Sequence, residues 1–203
     1  MNKFEDHVFK RAKMGIAAIP ESKAKDIYAL SFYFWADEDD PRKATLTVGY
    51  NTIARWKACT PAKGQKPEWP IASSSEEAKW NYAFWLQEEG TACAIGEEEA
   101  DASLRQKWIE SFDCWWTDEE QDEDFDRTIE LGEKIMCEFV NLSIQVAFRL
   151  HKEGVINEKF GRDIPIIIHE LEYNEQHAQA TEAANPKCLT QELKEFTKWI
   201  GAM

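Results

Sequence analysis

Residues 27–50 read Ile-Tyr-Ala-Leu-Ser-Phe-Tyr-Phe-Trp-Ala-Asp-Glu-Asp-Asp-Pro-Arg-Lys-Ala-Thr-Leu-Thr-Val-Gly-Tyr, and this stretch decides the fold. Its first part, Ile27 to Trp35, is mostly apolar and rich in aromatics, which suits a strand covered on both faces. The run Asp37 to Lys43, with Pro41, is a turn. After it the chain alternates, with Leu46, Val48 and Tyr50 on one face and Thr45 and Thr47 on the other. That pattern predicts a half-buried strand, paired with the first as an antiparallel hairpin.

On either side of this hairpin the periodicity changes from two to 3.6. Phe4, Val8, Ala12 and Ile16 share one face of a predicted helix over 3–18, which Pro20 ends. Residues 57–73 carry Pro61, Gly64, Pro67 and Pro70 and read as loop. Ser74 and Glu77 form a capping box that opens a helix through Trp80 and Phe84 to about Gln87. Thr91–Ile95 is a candidate short strand, and 97–112 a helix with Leu104, Trp108 and Phe112 in register. Thr117 and Glu120 make a second capping box, predicting one long central helix from there to about Leu150. Ile164 to His169 reads as a buried strand, with Pro165 at its start. Asn174 caps an Ala-rich helix to Ala184, and Asn185-Pro186 reads as the cap and first residue of the last helix. The expected class is α+β: a small, mainly antiparallel sheet packed against several helices, with residues 1–203 as one domain.

Composition narrows the function classes. With 38 Asp and Glu against 24 Lys and Arg, the formal charge is −14, so nucleic acid and anionic lipid are repelled. The five cysteines, Cys59, Cys93, Cys114, Cys137 and Cys188, form no C-x-x-C pair and no disulfide framework, so a reducing, cytoplasmic setting is expected. The N-terminus lacks the apolar core of a signal peptide, and no run is long enough to span a bilayer. Phosphate-binding glycine loops, G-x-S-x-G and H-E-x-x-H are all absent, and no cofactor or metal is expected.

The acidity is local. Asp118, Glu119, Glu120, Asp122, Glu123, Asp124 and Asp126 put seven acids into nine residues, and Glu97 to Asp101 adds four in five. At a helix start such charges stabilise the macrodipole by ~0.3–1 kcal/mol each. Read as one helix, that accounts for the first turn only, and the acids from 122 onward mainly repel one another. A basic protein partner, or a small cation, is the functional alternative to a solvated face. Trp115 and Trp116 precede the run, and the pair cannot share one helix face, so one ring is expected at the surface as an anchor. A second cluster, Asp163, His169, Glu170, Glu172, Tyr173 and His177, lies about a strand end. A His beside carboxylates can do acid–base or metal-assisted hydrolytic work. The competing reading is a strand-terminal His bonded to backbone.

Several stretches together resemble an uncharacterised bacterial family, domain-of-unknown-function family 4303. They are Ile27 to Tyr33, Gly49-Tyr-Asn-Thr52, Glu68-Trp69, Trp80-Asn-Tyr82, Phe160 to Tyr173 and Ala184-Asn-Pro186. The resemblance implies an α+β domain with no established activity and no catalytic residues to carry over. Some members are similar in context to immunity proteins of bacterial toxin systems, which implies a non-enzymatic binding role. The acidic run at 118–126 departs from the family pattern.

Overall fold

The two runs that open the sequence reading do pair as an antiparallel hairpin, and their register explains why. Leu30 sits opposite Tyr50, Phe32 opposite Val48 and Phe34 opposite Leu46, so both period-2 apolar sets fall on one face. A computed structural model of the chain describes residues 3–201. In order, the elements are α1 (Lys3–Ala18), α2 (Glu21–Ala24), β1 (Ile27–Ala36), β2 (Ala44–Thr52), α3 (Ile53–Cys59) and α4 (Ser75–Trp80). There follow β3 (Thr91–Ile95), α5 (Glu99–Glu110), α6 (Asp118–Glu123), α7 (Phe125–Lys152) and α8 (Val155–Phe160). The chain ends with β4 (Ile166–His169), α9 (Glu175–Ala184) and α10 (Thr190–Ile200). The strand order is β3-β2-β1-β4, antiparallel except for β4 beside β1. The class is α+β.

Helices cover both faces of the sheet. One face meets Phe4, Val8, Ala12 and Ile16 of α1, and Ile135, Phe139 and Val146 of α7. Phe4, Val8 and Ile16 are essentially fully buried, about 1.5–3 kcal/mol of transfer free energy apiece. The other face packs Ala29 and Ile167 against Trp80, Trp85, Phe196 and Trp199. With cover on both sides, β2 is not the half-buried strand its alternation predicts. Thr45 is buried as well as Leu46, because β2 lies inside the sheet between β1 and β3.

Four other expectations are corrected. The helix opened by Ser74 ends at Trp80, where the Asn81 side chain accepts from Ala83 N and starts a 3-10 turn. A helix at 53–59, within and just before the predicted loop, is capped by Thr52, whose hydroxyl accepts from Arg55 N. The long helix starts at Phe125, not Thr117. Finally, Asn185 does not cap the last helix, which begins at Thr190 after a short 3-10 turn.

Asn185 has another task. β4 is an edge strand, and its outward backbone groups need partners. Asn185 Oδ1 accepts from Ile166 N at 2.8 Å, and its Nδ2 donates to Ile166 O at 2.7 Å. One helical turn earlier, Thr181 Oγ1 accepts from Ile168 N at 3.0 Å and donates to Ile168 O at 3.3 Å. Thr181 of α9 and Asn185, the residue that ends that helix, thus stand in for a fifth strand. At the far end of the sheet, buried Arg105 donates to the carbonyls of Arg42, Ala44 and Gly96 at 2.8, 2.9 and 2.7 Å. Gly96 has a φ of +119°, and a Cβ there would lie 2.9 Å from both Ala44 O and Arg105 Nη1. Among the described residues, no helix is long and apolar enough to cross a membrane.

Candidate binding groove along the long helix

The β1–β2 turn is fastened to the segment before α6 by Arg42. Its guanidinium donates to Asp40 Oδ2 and Asp118 Oδ1, both at 2.9 Å, and to Trp116 O at 3.1 Å. It also lies over the Trp115 and Trp116 rings, 5.9 and 5.1 Å from their centroids. These carboxylates push its pKa further up. The tryptophan pair is therefore mostly spent on structure. Trp116 is buried, with its Nε1 donating to Gln121 Oε1 at 2.9 Å, and Trp115 is half-buried. Neither ring is the exposed anchor expected from the sequence.

The acidic run is split by a kink at Asp124 (φ −145°, ψ 78°), which changes its meaning. Thr117 and Glu120 do form the capping box of α6. Asp124 then caps α7, accepting from Arg127 N at 3.1 Å, and Asp126 sits in the first turn of α7. Most of the run thus serves two helix starts. Asp122 and Glu123 do not: they occupy the last turn of α6, where negative charge opposes the dipole. Of the seven acids, Asp118 alone has an ion-pair partner among the described residues. In the other acidic segment, Asp101 is wholly buried, accepting from Gly96 N at 2.8 Å and meeting His7 Nε2 at 2.5 Å. Burial acts to raise its pKa, but the Gly96 amide, His7 and Arg11 outweigh that and leave it lowered.

Two adjoining clefts run along α7. The first, about 580 Å³, lies between the β1–β2 turn and the start of α7, with Pro41, Trp116, Phe125, Ile129 and Met136 on its walls. Its charged lining is Glu38, Asp39, Asp40 and Glu133 with Arg42 and Lys43. Lys43 pairs with Glu38 and Arg42 with Asp40, which leaves Asp39 and Glu133 as the uncompensated acids of the rim among the described residues. Gly132 lets the turn come this close, since a Cβ there would meet Pro41 Cγ at 2.9 Å. Phe125 and Ile129 remain 61% and 47% exposed, although they belong to the apolar stripe of α7. The second cleft, about 640 Å³, separates α7 from α9 and is lined by Phe34, Met136, Val140, Ile144, Glu170 and His177. Glu133 and Met136 belong to both clefts, so the two form one groove past the C-terminal ends of β1 and β4.

The residues of the second cluster do not converge. His169 is fully buried and lines neither cleft. Its Nδ1 lies 2.7 Å from Glu170 O and its Nε2 2.7 Å from Ser31 Oγ. The carbonyl can only accept, so Nδ1 carries the proton and Nε2 accepts from the hydroxyl. Tyr33 and Tyr173 stack on the ring. Asp163 lies at the opposite end of β4, 3.4 Å from His151 Nδ1. Glu172 is exposed. Glu170 does reach the groove, its Oε2 being 3.7 Å from His177 Nε2, and burial raises its pKa. His177, which the sequence also places in this cluster, is held by the capping box with Asn174. Among the described residues no group of three or more His, Cys, Asp or Glu is placed to hold a metal ion.

Burial lowers the His169 pKa to about 4, well below the ordinary value of about 6.5 for an imidazole. His151 and His177 are lowered for the same reason. The folded state therefore binds fewer protons than the unfolded chain between about pH 6.5 and pH 4. Stability should fall as the pH drops through that window, by about 3 kcal/mol from His169 alone at the acid end. Urea unfolding between pH 7 and pH 4.5 should show this loss, and His169→Asn should flatten it; an unchanged slope in the variant would refute the assignment.

No family model, curated protein or solved structure matches this chain.

Proposed function

We infer that this chain is a non-enzymatic binding protein whose acidic, apolar-floored groove along α7 receives a basic protein partner. An immunity-like role, as the family resemblance implies, is one setting for it. The observation that carries the reading is the company Phe125 and Ile129 keep. Two large apolar side chains stand open to solvent in a cleft whose rim carries the uncompensated acids Asp39 and Glu133, beside the acidic run. Exposed anchors inside a charged rim are the usual anatomy of a docking surface. Asp122 and Glu123 add support, because their position works against α6 itself.

The test is association at two ionic strengths. Asp122→Asn, Glu123→Gln, Asp124→Asn and Asp126→Asn together remove four negative charges; Asn at 124 keeps the cap, since Asn and Asp cap equally well. A partner captured from the native host at low salt should bind about tenfold more weakly to this variant, and more weakly at high salt, with the melting temperature nearly unchanged. Equal binding by the wild type and the folded variant would end the proposal.

A further inference from the structure

The groove also restricts the shape of what can enter it. Its floor is a stripe on α7, namely Phe125, Ile129, Met136, Val140 and Ile144. These recur at four- and seven-residue spacing, so they line one side of the helix. From Phe125 to Ile144 the stripe is about 28 Å long at 1.5 Å per residue. The wall opposite its middle is α9, including Ala180 and Ala183, whose short side chains leave the cleft open.

Backbone hydrogen bonding separates two kinds of peptide guest. An extended peptide leaves its own amides and carbonyls unpaired unless a strand edge receives them. The nearest edge is β4, and at Ile166 and Ile168 its outward groups are already taken by Asn185 and Thr181. A helix arrives with its backbone satisfied and needs only an apolar face. Charge then selects the other face. Asp39, Glu133 and Glu170 stand at the rim with no Lys or Arg partner among the described residues, and the acidic run continues the same sign beyond Phe125.

We propose that the occupant of this groove is a basic amphipathic α-helix of the partner, lying along α7 with its apolar face on the stripe. This rests on the binding reading above and adds the partner's secondary structure. Lys and Arg on the flanks of that helix meet Asp39, Glu133 and Glu170. Its apolar residues, at i, i+3, i+4 and i+7, cover Ile129, Met136, Val140 and Ile144.

Two labelled Leu/Lys peptides of about 14 residues test this, one patterned for a helix and one, of identical composition, alternating for a strand. Fluorescence anisotropy with wild-type protein should show about tenfold tighter binding of the helical pattern. Phe125→Gln with Ile129→Gln leaves every charge in place and alters only exposed side chains; it should cut binding of the helical peptide about tenfold. If the two peptides bind equally and both respond to the acid neutralisations, the helical assignment fails while the basic-partner reading stands. If neither peptide responds to the neutralisations, the underlying reading fails as well.

Discussion

Asn185→Ala should destabilise the protein by about 3–5 kcal/mol, a large share of the whole stability of a domain this size. The side chain is nearly buried and forms four hydrogen bonds. Beyond the two to Ile166, Nδ2 donates to Thr181 O at 2.8 Å, and Oδ1 lies 3.1 Å from His151 Nε2. Truncation leaves Ile166 N–H and C=O without partners at a sheet edge that α9 shields from water. Each orphaned group costs about 1–3 kcal/mol. Asn185→Asp should be nearly as harmful, because a carboxylate cannot donate to Ile166 O or Thr181 O. Urea denaturation at pH 7 decides it, and a loss below about 1 kcal/mol for the Ala variant would show that the amide does not substitute for a strand.

Arg105→Met should be comparably damaging, by about 3–4 kcal/mol. The guanidinium satisfies three carbonyls that converge where β2 begins and β3 ends. Burial lowers its pKa, with Asp101 as the largest opposing influence. Removing the cation would leave both the carbonyls and the buried Asp101 carboxylate less well compensated. Arg105→Lys should not restore stability, since one ammonium cannot reproduce the planar fork that spans these acceptors. Melting temperatures of the two variants test the point; a Lys variant as stable as the wild type would show that charge alone suffices.

The fold was legible where pattern and geometry coincide. Period-2 alternation at 44–50 became a strand, the stripe from Phe4 to Ile16 became a helix, and Ser74, Thr117 and Asn174 each cap a helix, although the helices opened by Ser74 and Thr117 are shorter than predicted. What escaped depends on tertiary contacts. Nothing local distinguishes Asn185 as a cap from Asn185 as a surrogate strand, because the choice depends on β4 lying against α9. The kink at Asp124 is similar: DEEQDEDFD is compatible with one helix or two, and the exposed Phe125 fits the break but does not dictate it. His169 carries the same lesson for function. Its sequence neighbours are carboxylates, yet its spatial neighbours are Ser31 and aromatic rings. The groove itself was half visible. Glu170 and the acidic run beside the groove stood out in the sequence, but Asp39 and Glu133 did not, and the floor uses residues such as Ile129 and Val140 that periodicity assigns to the core.

On this reading the acidity serves a groove and is not spread as a general surface charge. Titrating isotope-labelled protein with the helical Leu/Lys peptide, while following each backbone amide by NMR, tests it most directly. The account predicts shifts concentrated at Glu38–Lys43, Gln121–Ile144 and Glu170–His177, lost when Phe125 and Ile129 are both replaced by Gln. Shifts scattered over unrelated acidic positions such as Glu88, Glu89 and Glu192, and insensitive to that replacement, would contradict it.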